Sequence, residues 1–281
     1  MNAGRFKGVA ALVLTSLLWG SSFPVIKVVI AEMSEYTYTW LRSLIAVAGL
    51  TPYLIYYLRR HGTLSREAAK GGLLAGVAYA IGLWLQGWGT RYTTASNSAF
   101  ITGLNVVFVH LYVGLIKRTY SPYLGLSLAL SVTGLYMITA PGTGFNIGDL
   151  LVLLGSTMWA AQVILVSKYC RGDPIIFTLF EMLPATSFII PDLIVGSPGP
   201  FRADLIALIT YLALVCSNAA FTLQVLGQRR VSAATAAIIF LSEPVFATIL
   251  AYLLISETMA AGQIIGALLI MTAMLIASIK S

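Results

Sequence analysis

The sequence predicts an all-α integral membrane protein: ten transmembrane helices arranged as two inverted five-helix repeats. Three observations carry this. Of 281 residues, 17 are Lys or Arg and 10 are Asp or Glu, so 10% are charged while 58% are apolar. A soluble domain carries about 25% charged residues and could not keep its surface wet with so few. The chain divides into ten apolar runs of about 20 residues, the length a bilayer needs. Polar and glycine residues of its two halves match at one spacing, near 139.

The runs follow in order. The first, 7–30, is preceded by Arg5 and Lys7 and mimics a signal peptide. It continues through Trp19 and Pro24 with no small-residue cleavage pattern, and so reads as a retained span. The second, 36–58, closes on Arg59-Arg60-His61-Gly62. The third is 69–88, and the fourth, 96–116, closes on Lys117-Arg118. The fifth, 121–140, opens at Pro122 and ends before Pro141-Gly142. The sixth is 148–168. The seventh, 174–196, opens at Pro174 after Gly172-Asp173 and stops at Gly196-Ser197-Pro198-Gly199-Pro200. The last three are 203–226, 232–255 and 260–280. Pro122 and Pro174 occupy a first helical turn, where the missing N–H costs nothing. Unbroken apolar runs of helical length argue against a β-barrel, whose strands alternate over about ten residues.

Ten spans put both termini on one side. With the termini inside, thirteen basic residues fall on the inner side: Arg5, Lys7, Arg59, Arg60, Arg66, Lys70, Lys117, Arg118, Lys168, Arg171, Arg229, Arg230 and Lys280. Only Arg91 and Arg202 fall outside, and Lys27 and Arg42 lie within spans. This positive-inside bias predicts a multi-pass protein of the plasma membrane with cytoplasmic termini. It also explains an isoelectric point near 9.5 without a nucleic-acid partner. Cys170 and Cys216 are too few for a disulfide framework and read as free thiols.

Trp19 and Trp159 stand 140 apart, and Arg42 and Glu181 139 apart. Gln86, Gly89, Arg91, Ala95, Ala99 and Phe108 match Gln224, Gly227, Arg229, Ala233, Ala237 and Phe246, all at 138. Leu-Ile-Lys-Arg-Thr at 115–119 matches Leu-Ile-Ser-Glu-Thr at 254–258. The halves are 1–140 and 141–281. Five spans is an odd number, so the second half is inverted relative to the first, a design of alternating-access transporters.

Leu18-Trp19-Gly20-Ser21-Ser22-Phe23-Pro24, Ser242-Glu243-Pro244-Val245 and Ile255-Ser256-Glu257-Thr258 resemble EamA-type repeats of the drug/metabolite transporter superfamily. The five-plus-five pattern matches as well, so the resemblance covers the whole chain. It implies a secondary transporter; members include amino-acid and metabolite exporters, YddG-like aromatic amino-acid exporters among them. One departure stands out: Asn105-Val106 replaces, in the first half, the Glu243-Pro244 of the second.

Charges inside spans are costly and mark function by default. Glu243, mid-span, reads as a proton-coupling or substrate-amine carboxylate, or as a satisfied kink beside Pro244. Arg42 and Glu181 read as gating or structural partners of neighbouring helices. They sit about two turns from opposite faces and do not pair with each other. Lys27 either snorkels to the outer interface or attracts an anionic group at the mouth. The midplane supplies the binding candidates Trp19, Ser21, Ser22, Tyr79, Trp84, Ser98, Thr102, Asn105, Trp159, Gln162, Ser217, Asn218 and Phe221. Ser98, Thr102 and Asn105 follow i, i+4, i+7 and share a helix face. Aromatic walls with neutral amides and hydroxyls suit an uncharged or zwitterionic solute with an apolar side chain. For each, the competing reading is helix packing. Gly72 with Gly76, and Gly262 with Gly266, follow the close-packing spacing. His110 reads as a packing residue, and no partner is spaced to make a metal site with it.

The leading reading is export of aromatic or apolar amino acids, or related metabolites, by rocking one repeat against the other. No cofactor or metal is expected, and no Walker-type loop provides for ATP. The expected partners are a small-molecule substrate and the lipid bilayer; the oligomeric state is left open. A carrier of sugar phosphates, nucleotide sugars or drugs is the alternative. Phosphate carriers want several intramembrane cations, and four-span multidrug carriers want a carboxylate in the first span, which has none here. An intramembrane enzyme or a non-transporting scaffold is more distant: no nucleophile triad, paired aspartates or HExxH is present.

Overall fold

Helix starts fall on Ser, Asn and Asp at the positions where the apolar runs begin. In the computed structural model Ser34 accepts Thr37 N–H at 2.9 Å and opens α3, Glu35–His61. Ser65 does the same for α4, Arg66–Tyr92. Asn146 and Asp149 form a reciprocal capping box at the start of α8, Ile147–Tyr169. Asp173 accepts from the amides of Ile175 and Ile176 and opens α9, Pro174–Met182, with Pro174 at the tolerated position. Each cap satisfies amide protons that have no partner within the helix.

The structure describes residues 3–93, 95–116, 121–139, 146–195, 199–246, 249 and 261–280. Lys117, Arg118, Pro141, Gly142, Ser197, Pro198 and the segment 255–258 lie outside them. Among the described residues every regular element is a helix. The others are α1, Ala3–Gly20; α2, Ser22–Glu32; α5, Ala95–Gly103; α6, Asn105–Leu111; α7, Pro122–Thr139; α10, Ile189–Val195; α11, Ala203–Tyr211; α12, Ala220–Gln228; α13, Ala233–Phe240; and α14, Ala261–Lys280. Among the described residues seven helical stretches are long and apolar enough to cross a membrane: Ala3–Glu32, Glu35–His61, Arg66–Tyr92, Asn97–Leu115, Ile147–Tyr169, Pro174–Val195 and Ala203–Gln228. Pro122–Met137, Ala233–Phe246 and Ile264–Ala277 are shorter apolar helices.

Several stretches are interrupted, and the sequence alone points to one of these breaks, a kink beside Pro244. Ser21 breaks the first between α1 and α2, three residues before Pro24. Leu104 separates α5 from α6, and Leu241 separates α13 from a helical turn at 242–246 that contains Pro244. A 3₁₀ segment, Leu183–Phe188, follows α9 and contains Pro184. Wide π turns occupy Tyr112–Ile116 and Leu212–Ala219. Irregular backbone at membrane depth is tolerated where it is buried in protein or lines a cavity.

Close packing follows the small residues. A Cβ at Gly72 would overlap the carbonyl oxygen of Phe177, and one at Gly76 would lie 2.5 Å from that of Glu181. Glycine alone lets α4 and α9 touch backbone to backbone there. Gly134 of α7 meets the carbonyl of Gly266 of α14 in the same way, whereas Gly262 has room to spare. The apolar interior forms two main clusters, one around Leu12, Val106 and Ile238, the other around Ile26, Tyr79 and Phe221. Trp19 packs against both. Cys170 and Cys216 are free thiols. His110 bonds the carbonyl of Val106 at 2.7 Å, one turn back, as a packing histidine does.

Candidate functional site

A cavity opens between the two apolar clusters, at the level of the helix interruptions. It encloses about 520 Å³ counting its open side. Its walls are aromatic. Trp19 packs its ring 5.0 Å from both Phe221 and Phe240. Trp159 stands 6.2 Å from Phe221. Phe23, Ile26, Leu83 and Val163 complete the apolar lining. The Trp19 indole is held by donation to the carbonyl of Cys216 at 3.1 Å, within the π turn.

Polar groups enter at separate points. Gln86 donates to Thr102 at 3.0 Å, and both line the cavity. Ser22 is turned back to the carbonyl of Trp19. Asn105 begins α6 immediately after the Leu104 break. Its Oδ1 and the indole nitrogen of Trp159 are buried without a hydrogen-bond partner. An orphan acceptor and an orphan donor in one cavity are costly unless a ligand or water satisfies them.

Two charges face this space. Arg42, 4% exposed, donates from Nε to Ser217 at 2.9 Å and from Nη1 to the Tyr38 hydroxyl at 2.6 Å. Its guanidinium also lies 5.8 Å from the Tyr38 ring centre. All its partners are neutral, and the ion pairs found among the described residues are Arg91–Glu35, Arg202–Glu32 and Arg202–Asp204. Glu243, in the turn after the Leu241 break, lines the same cavity. A guanidinium and a carboxylate that share a cavity without pairing offer one site for an anionic group and another for a cationic group.

The model of the EamA-like transporter family matches residues 6–140 and again 146–279. The chain belongs to the EamA-like transporter family. Two relatives from Archaeoglobus fulgidus carry the description uncharacterized transporter. One is 28% identical over 273 residues, covering 96% of this chain and 85% of the relative. The other is 26% identical over 260 residues, covering 88% of each. The uncharacterized transporter YyaM of Bacillus subtilis is 24% identical over 279 residues, covering 94% of this chain and 90% of its own. A solved crystal structure shares the fold at a TM-score of 0.78, with 14% identity, covering 97% of this chain and 96% of the other. The EamA-like chain is thus a multi-pass membrane transporter.

Nine residues expected from the sequence line the cavity of this EamA-like fold: Trp19, Ser22, Arg42, Thr102, Asn105, Trp159, Gln162, Phe221 and Glu243. Eight others do not. Tyr79 and Ser217 stand just behind it, bonded to each other at 3.3 Å, and Ser217 holds Arg42. Ser21 bonds the Tyr211 hydroxyl at 2.6 Å. Asn218 donates to the carbonyl of Ala46 at 2.9 Å, joining helices. Ser98, one turn before Thr102 in α5, bonds Thr90 at 2.6 Å, and the break at Leu104 falls between Thr102 and Asn105. Trp84 belongs to a separate aromatic stack with Tyr36, Trp88 and Phe188. Glu181 is fully buried beneath Gln162, which donates to it at 2.6 Å.

Lys27 is not part of the lining. Its ammonium donates to the carbonyls of Thr90, Arg91 and Thr93 at 2.7, 3.3 and 2.6 Å, closing the C-terminal end of α4. Cations at that end satisfy carbonyls with no helical partner. Asp192, solitary in sequence, accepts from Ser34, Thr37 and Trp40 at 2.8, 2.7 and 2.7 Å. Gln86 was legible only as half of a repeat match; a lone amide in an apolar run was the signal for its place in the lining.

Proposed function

We propose that this transporter carries small zwitterionic solutes, foremost aromatic or apolar amino acids, out of the cell across the plasma membrane. The observation that carries the reading is the unpaired Arg42 and Glu243 in one aromatic-walled cavity. The guanidinium receives the carboxylate of the solute and Glu243 its ammonium. Trp19, Trp159, Phe221 and Phe240 take an apolar side chain. The orphan groups of Asn105 and Trp159 add one acceptor and one donor.

The route is alternating access between two inverted five-helix repeats, 1–140 and 141–281, with both termini cytoplasmic. Helix contacts support it. In the five-plus-five scheme, α4 against α8 is the counterpart of α12 against α1, and both pairs pack. The elements that would be equivalent, α7 and α14, and α3 and the 3₁₀ segment after α9, also meet each other. The double match to one family model supports it too. Cargo with several phosphates is disfavoured, because Lys27 is spent on carbonyls and Arg42 is the cation that reaches the lining.

Counterflow in proteoliposomes tests the reading. Vesicles preloaded with phenylalanine or leucine should accumulate the labelled amino acid, and those preloaded with sugar phosphates should not. Exchange of sugar phosphates alone would overturn the assignment, and no exchange of any solute would favour a non-transporting role.

A further inference from the structure

Glu181 does not line the cavity but is bonded to Gln162, the glutamine that opens an amide ladder there. Gln162 lines the cavity. Its amide nitrogen donates to Glu181 Oε1 at 2.6 Å and to Gln224 Oε1 at 3.1 Å. Gln224 donates back to Gln162 at 2.9 Å and on to Gln228 at 2.8 Å. Gln228 ends the ladder on the Val163 carbonyl and on Ser167, at 2.8 and 2.6 Å. Three consecutive glutamines saturate one another, yet the carboxyl at the end is served on one oxygen only. Glu181 Oε2 is fully buried and has no partner.

Among the described residues no cation pairs with Glu181. Facing α9, α4 brings the bare backbone of Gly72 and Gly76. The phenol of Tyr79 is bonded to Ser217 and the guanidinium of Arg42 to Tyr38 and Ser217. Tyr53 of α3 is bonded to Asp173 at the start of α9. Cys216 donates to the carbonyl of Leu18. Gln224 represents α12, and the 3₁₀ segment carries no titratable side chain. Of the remaining charges on α3 and α4, Arg59, Arg60, Arg66, Glu67 and Lys70 are exposed, and Glu35 pairs with Arg91. A purely structural carboxylate would have donors on both oxygens, as Asp192 does. A buried carboxylate oxygen with none carries a large desolvation cost, which a proton removes.

We propose that Glu181 is a proton-binding site, loaded and emptied at Oε2 and linked to the solute through Gln162. Loading makes one O–H bond with a proton from water, and emptying returns that proton to water. The linkage is geometric: both hydrogens of the Gln162 amide are already engaged. A solute that takes one of them withdraws support from Oε1, and proton and solute then alter each other's affinity reciprocally. The proton site stands on the geometry of Glu181. Its link to a solute rests on the amino-acid reading of the cavity.

Infrared difference spectroscopy of the full chain in lipid nanodiscs separates the two. On stepping the pH without solute, the wild type should show the carbonyl band of a protonated carboxyl that titrates away. The band should be lost in Glu181→Gln and kept in Glu243→Gln. A band undiminished in Glu181→Gln overturns the site. Gln162→Leu leaves Glu181 in place and should move the midpoint by about one pH unit. An unmoved midpoint overturns the ladder's role even if Glu181→Gln does not fold. Phenylalanine added at fixed pH should change the band in the wild type. If calorimetry detects phenylalanine binding but the band does not respond, the coupling is overturned while the cavity reading survives. If phenylalanine does not bind, the cavity reading fails, and the titration still decides the proton site.

Discussion

The indole N–H of Trp40 and the carboxylate of Asp192 meet at 2.7 Å, although 152 residues separate them in the chain. With Ser34 and Thr37 on the same carboxylate, this is a joint between the start of α3 and α10. Three donors converge on a side chain that is 3% exposed. Asp192→Ala leaves them without an acceptor. A loss of about 3 kcal/mol is expected, given 1–3 kcal/mol for each buried group left unpaired. Thermal unfolding in detergent measures it, and a midpoint equal to wild type would show that the joint contributes nothing.

Arg42 is expected to act on the solute through charge and fork geometry together. Arg42→Gln should weaken binding of phenylalanine by about 10–100-fold, the worth of one charge-assisted pair. Arg42→Lys should recover only part, because an ammonium cannot reproduce the fork that holds Ser217 and Tyr38. Isothermal calorimetry across the series checks the order. An amine lacking the carboxylate should lose little between wild type and Arg42→Gln.

Lys27 should behave as a helix closure. Lys27→Met is expected to cost about 1–2 kcal/mol of stability, by leaving three carbonyls at the end of α4 without their cation. Phenylalanine affinity should stay within twofold of wild type. A large affinity loss with normal stability would instead place Lys27 on the solute path.

The two glycine pairs divide sharply. Gly76→Ala sets a methyl against the Glu181 carbonyl and should cost about 1–3 kcal/mol, as overpacking does. Gly262→Ala meets its nearest neighbour, the Met137 carbonyl, only at 3.9 Å and should be close to neutral. Paired melting curves decide the matter, and equal losses would mean that shared composition, rather than contact, governs both sites.

Burial pushes the Cys170 thiol up from its ordinary value, with Arg229 opposing. Only the thiolate reacts with maleimides, so its fraction at pH 7 falls as that value rises. Labelling of Cys170 should therefore be slow at neutral pH and accelerate as pH rises. With an impermeant reagent on whole cells it should need permeabilisation if the proposed orientation holds, and labelling of intact cells would overturn that orientation. Cys216, fully buried, should stay unlabelled until the protein unfolds.

Apolar length and loop chemistry made the spans legible. Pro122 and Pro174 open their helices, and the Asn146 and Asp173 caps follow from residue type alone. Which face of a helix meets a cavity was less legible, because a serine bonding its own preceding turn and one bonding a ligand look alike in sequence. Ser21, Ser98 and Asn218 proved to join helices, while Trp19 and Trp159 reached the lining. Pro244 points to a kink close to the break at Leu241, but the breaks at Ser21 and Leu104 were hidden for a related reason. They arise from how neighbours satisfy freed backbone groups, and periodicity records only an uninterrupted helix.

The wide turn at Leu212–Ala219 accommodates one residue more than regular winding would. A turn of this kind absorbs the extra residue without rotating the helix beyond it, so deleting one residue there restores ordinary pitch and leaves Phe221 and Gln224 facing their partners. A deletion within Ala220–Gln228 would instead rotate everything after it by about 100°. The turn is thus the place where the stretch Ala203–Gln228 can gain or lose a residue and keep its alignment. Sequences related to this one can be sorted by whether they keep that count, even where every individual side chain differs.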